Sequence, residues 1–196
     1  MKYLSEKITD YIVKNGVISE KSYAVYQYGF QIGLEMLSCF LACFAIAIYL
    51  HMIPQFFIST GIFMLLRTYA GGLHLNSYLL CFICSTAVQT VILLINHYYS
   101  VVLPIAWGII LISVVLMLKN APVENINREL DADEKKNCKN ITMKVLVGVL
   151  TFSVGCTVAR LNNIVSLISL TTLIVLISQY LGMIKYSIEK KVHGKP

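Results

Sequence analysis

Apolar stretches recur along almost the whole of this 196-residue chain, at residues 31–50, 54–66, 78–95, 101–118, 145–160 and 164–181. Nothing else in the sequence constrains the fold as strongly. A helix crosses the hydrocarbon core of a bilayer with about 20 apolar residues, each rising 1.5 Å. Helices suit that setting because they satisfy their own backbone donors and acceptors where no water can. Only 13% of the residues are charged, against about a quarter in ordinary soluble domains. The pattern predicts an all-α, polytopic membrane bundle of about six segments, organised as one domain over residues 1–196. The second and fifth stretches are short, so they thin the bilayer, tilt little or stop short of crossing.

The cations say which way such a bundle faces. If all six stretches cross, four Lys fall at the N-terminus, Arg67 falls between the second and third stretches, six Lys and Arg lie within 119–144, and four Lys lie from 185 onward. Arg160 alone lies on the other side. The positive-inside rule then makes the crowded face cytoplasmic, with both termini there. The outer face keeps only short links near 51, 96 and 160, too little for a receptor domain. The net charge of +6 is accounted for by topology, and nucleic acid is not an expected partner. The start, MKYLSEKITDYIVKNG, has neither the continuous apolar core nor the small-residue cleavage site of a signal peptide. Leu4, Ile8, Tyr11 and Ile12 recur there at helical spacing between lysines, which predicts an amphipathic helix on the membrane surface within residues 1–29. The 119–144 segment, a cytosolic loop or helix, balances its six cations with five acids.

One stretch at the inner surface is out of keeping with its surroundings: RTYAGGLHLNSYLLC, residues 67–81. His74 and Cys81 are the residue types of a base and a thiol nucleophile. On an unbroken helix they would lie about 10.5 Å apart along the axis, too far to exchange a proton. Gly71 and Gly72 permit backbone conformations closed to other residues, and Asn76 or Ser77 can cap a new helix. His74 is thus expected to lie in a bent segment that folds back after the glycines, with Cys81 little more than one turn into the third membrane helix. There the helix N-terminus and a nearby cation favour the thiolate. Arg67 is a second cation, suited to a substrate carboxylate, an oxyanion or lipid phosphates.

These residues resemble the signature of the accessory gene regulator protein B (AgrB) family, membrane cysteine endopeptidases of peptide quorum sensing. The matching positions are Arg67, Gly72, His74 and Cys81; the chain length, basic N-terminus and order of apolar stretches agree as well. The resemblance implies that Cys81 is the nucleophile and His74 its base, with Arg67 and Gly72 supporting the site. It implies a precursor-peptide substrate with an amphipathic leader, a central signal and an acidic tail, a homodimer, and no cofactor or metal. The acidic tail would be drawn to the cytosolic cations.

Other polar residues in the apolar stretches carry weaker signals. Glu35 is the one acid inside a predicted membrane segment, and an intramembrane carboxylate is a functional candidate by default. Gln31 stands one turn before it on the same face, and both are candidate supporting residues. Cys84 forms a C-x-x-C with Cys81, which opens a thiol–disulfide oxidoreductase reading; a cytosol-facing pair would meet reducing conditions. A small transporter is the other alternative, and it would need a continuous polar path. Cys39, Cys43, Cys138 and Cys156 read as packing residues.

Overall fold

The computed structural model describes residues 2–19, 22–73, 78–123 and 131–192. Its described residues form seven α-helices and no strand: α1 (Lys2–Lys14), α2 (Tyr23–Tyr49), α3 (Ile53–Ala70), α4 (Tyr78–Tyr98), α5 (Leu103–Asn120), α6 (Ala132–Val158) and α7 (Asn162–Val192). Five of them, α2, α4, α5, α6 and α7, are long and apolar enough to cross a membrane. The chain is an all-helical, multi-pass membrane bundle. The second apolar stretch became α3, which has 18 residues and carries Arg67 in its last turn; it is not among those five. The fifth stretch gained length instead. It lies in the C-terminal half of the 27-residue α6, which begins at Ala132 inside the segment that composition left as loop or helix. Glu134 caps that start by accepting the Asp131 N–H at 3.4 Å, half of a reciprocal capping arrangement.

Helix ends explain the tight turns. Met52 N–H bonds to the Ala47 carbonyl at 2.9 Å, and Leu161 N–H to the Cys156 carbonyl at 2.8 Å. In each case the intervening residue, His51 or Arg160, has positive φ (56° and 59°). These are Schellman caps, which satisfy the last carbonyls of a helix. Val17, after Gly16 at φ 68°, closes α1 in the same way. Arg160, the cation that departs from the charge sorting, therefore follows the carbonyl end of α6, where a cation is favoured.

The long helix α7 is the hub, packed on α3, α4, α5 and α6. Among its aliphatic interior residues stands a small, hydroxylated set: Ser166, Ser169, Thr171 and Thr172 are all fully buried. Ser169, Thr171 and Thr172 turn their hydroxyls back onto carbonyls three or four residues earlier. Small side chains let helices approach closely in lipid, where packing rather than water exclusion drives association. One apolar core joins α3, α5, α6 and α7 through Leu66, Ile110, Met117, Leu146, Ile168 and Val175. A second joins α2, α3, α4 and α7, with Phe40, Phe44, Phe56 and Phe57 in mutual ring contact at 5.3–6.4 Å. Outside both cores, α1 packs on α2. Tyr23 donates to Asp10 at 2.8 Å, and the α1 residues facing inward are Ser5 and Thr9. Tyr3, Leu4 and Tyr11 stay exposed, an apolar rim that suits a membrane surface.

Candidate active site

The break anticipated in RTYAGGLHLNSYLLC is present. α3 stops at Ala70, and residues 71–73 are not helical. The helix stops there because Gly71 takes φ 83° and ψ 175°, a conformation essentially reserved for glycine. His74, Asn76 and Ser77 lie outside the described residues, so the expected caps and the His74–Cys81 approach do too. α4 follows from Tyr78, which puts Cys81 within about a turn of its beginning. That thiol is partly buried, while Cys84 is exposed, and all six cysteines are free.

Three elements hold the turn. Arg67 reaches forward and donates through Nη2 to the Leu73 carbonyl at 2.5 Å, with its guanidinium 5.6 Å from the Phe63 ring centroid. From α7, Ser178 Oγ accepts the Leu73 N–H at 3.2 Å, and Gln179 Nε2 donates to the Ala70 carbonyl at 3.2 Å. The same carbonyl accepts Val123 N–H at 3.0 Å from the segment after α5. Steric fit is equally close. A Cβ on Gly71 would stand 2.6 Å from the Val123 carbonyl oxygen, and one on Gly182 would stand 2.8 Å from the Gly72 carbonyl carbon. Gly72 faces Ser178, whose Oγ would be 3.0 Å from an added Cβ.

Register places the remaining candidates. Gln89 of α4 donates to Ser59 of α3. In this antiparallel pair, eight residues further in on each helix lead to Arg67 and Cys81, which therefore share one height about 12 Å below that bond. Each is turned about 80° from the contact line, so the register fixes their level and implies no contact between them. Between α2 and α4, which run parallel, Cys39 Sγ meets Thr86 Oγ1 at 3.8 Å. One turn back, Glu35 comes level with Phe82, a single residue from Cys81. Gln31 Nε2 donates to Glu35 Oε1 at 3.1 Å, so an amide from its own helix supports the carboxylate. Cys81, Arg67 and Glu35 thus occupy one layer of the bundle.

The described hydrogen bond of Arg67 braces the turn, a contact that the three roles considered from sequence did not include. Ser178, Gln179 and Gly182 were not singled out by sequence reasoning. Gln179 carried the one available signal, an amide inside an apolar stretch; it is fully buried. Among the described residues no cluster of three or more His, Cys, Asp or Glu is placed to hold a metal ion. Across residues 5–179 the chain matches the model of the family described as Accessory gene regulator B. No curated protein and no solved structure matches it.

Proposed function

Because the chain belongs to the accessory gene regulator B family, we propose that it is the cysteine endopeptidase that matures the signal peptide of such a system. Membership makes it a membrane component of the accessory gene regulator system of quorum sensing. The catalytic assignment rests on Cys81 and His74, with Arg67, Gly71, Gly72, Glu35 and Gln31 in support. The observation that carries it is the pinned glycine turn: it separates α3 from α4, so no single straight helix runs from Arg67 through Cys81.

In this reading His74 takes the proton of the Cys81 thiol. The thiolate attacks the peptide carbonyl where signal and acidic tail join. The C–N bond breaks, the tail leaves as an amine protonated by the imidazolium, and an acyl-thioester remains on Cys81. A thiol or hydroxyl within the signal, its proton taken by the now neutral His74, then attacks that carbonyl. The C–S bond to Cys81 breaks, the thiolate is released, and the peptide closes as a thiolactone or lactone. Exchange of one thioester for another is nearly balanced in energy, so closure must outrun hydrolysis through proximity and exclusion of water. A partly buried thiol between apolar helices supports both. The site faces the cytoplasm, where the precursor is made, and a homodimer widens the enclosure available to a peptide.

The test is cleavage in proteoliposomes of short precursor peptides that carry an amphipathic leader, an internal Cys or Ser and an acidic tail. Cleavage disappears in Cys81→Ala and His74→Ala and persists in Cys84→Ala, and mass spectrometry finds the acyl group on Cys81. Cleavage that survives Cys81→Ala refutes the assignment.

A further inference from the structure

We propose that Ser178, Gln179 and Gly182 of α7 are positioning residues for this reaction. Together they form a seat that fixes the Ala70–Leu73 backbone and so sets the direction in which the chain enters residue 74. The inference rests on the peptidase reading above and adds to it a part of the site more than 100 positions away in sequence.

Leaving α3 at Ala70 frees that residue's carbonyl from its helical partner, and a buried free carbonyl is costly. Gln179 and Val123 both donate to it. Leu73 is held at both of its backbone groups, its N–H by Ser178 Oγ and its carbonyl by Arg67. That carbonyl belongs to the peptide plane joining Leu73 to His74, so Arg67 and Ser178 between them restrict rotation on either side of Leu73. Gly182 does the steric part. With no side chain it admits the Gly72 carbonyl carbon to within 2.8 Å of where a Cβ would stand, and the Leu73 nitrogen to within 3.1 Å. Ser178, Gln179 and Gly182 lie at i, i+1 and i+4, on one side of α7. A turn held only by its glycines would sample many directions. Held at Ala70, Gly72 and Leu73 by one rigid helix, it samples few, and catalytic groups need placement of that kind.

A structural prop and a positioning device differ in what they do to the thiol. If the seat directs the imidazole toward Cys81, the thiol ionises as part of a thiol–imidazole pair and reacts below the pH of an ordinary cysteine. The probe is iodoacetamide. Alkylation of Cys81 in the full chain in liposomes is followed by peptide mass mapping between pH 5 and 10. His74→Ala moves the midpoint of alkylation upward relative to wild type. Ser178→Ala and Gln179→Leu move it in the same direction and slow alkylation at pH 7 by about tenfold or more, whereas Ser178→Thr, which keeps the hydroxyl, restores it. Gly182→Ala has the largest effect; if that variant fails to assemble, the Ser178 and Gln179 variants carry the test alone. A midpoint that responds to His74→Ala but not to Ser178→Ala or Gln179→Leu overturns the inference, even if those variants melt earlier, and leaves the peptidase reading standing. A midpoint indifferent to His74→Ala overturns the peptidase reading itself.

Discussion

The two adjacent glycines of the turn do different work. Gly71 carries the backbone conformation, at φ 83° with the Val123 carbonyl against its open side, whereas Gly72 provides closeness to Ser178. Alanine at 71 must adopt a strained backbone, which costs about 1–3 kcal/mol, and must also push the Val123 carbonyl away. Alanine at 72 asks Ser178 Oγ to yield by a few tenths of an ångström. Gly71→Ala should therefore lower the denaturation midpoint in detergent more than Gly72→Ala, and the reverse order would refute this division. From sequence, a glycine pair before a His and a Cys announced a break, and the break is there. Which glycine bends and which one packs was not legible, because that depends on Val123 and Ser178, residues about 50 and 100 positions away. Glu35 shows the same limit. An acid in an apolar run was visible at once, and Gln31 was seen to share its face, where it bonds the carboxylate, yet the height of Glu35 beside Cys81 follows only from helix register.

At the scale of helices, the apolar stretches gave existence and order well and length poorly. The 145–160 stretch looked too short to span because hydropathy ends where Lys144 and Lys139 begin, while the helix runs back to Ala132. Backbone hydrogen bonding continues through charged residues once they leave the hydrocarbon, and a hydropathy pattern cannot register that. Between helices, polar pairs set register. The Gln89–Ser59 bond is buried, and it fixes α4 against α3, hence the level of Cys81 against Arg67. Bonds of this kind in membrane proteins average about 0.6 kcal/mol and reach about 1.7. A double-mutant cycle with Gln89→Leu and Ser59→Ala, read by denaturation in mixed micelles, should give a coupling in that range. Additive losses would mean that the register is set by apolar packing alone.

For the molecule as a whole, the charge sorting and the fold agree on where turns fall, and the proposed orientation follows from the lysines. Tyr99, 75% exposed at the α4–α5 link, belongs to the exterior in that orientation, and Asp133 at the start of α6 belongs to the cytosol. An impermeant maleimide applied outside sealed cells should label Tyr99→Cys and spare Asp133→Cys, with the opposite result on inside-out vesicles. Inverted labelling would put the thiol site on the wrong side for a newly made precursor. α7 also ties the two surfaces together. Near one, Ser166 Oγ accepts the Val101 N–H at 2.9 Å; near the other, Ser178 and Gln179 grip the glycine turn. Twelve residues separate these anchors, and each residue added or removed between them rotates one end by about 100° relative to the other. The spacing is consequently quantised: α7 can tolerate many changes of side chain along its lipid-facing side, but a single insertion or deletion leaves one of its two ends out of phase.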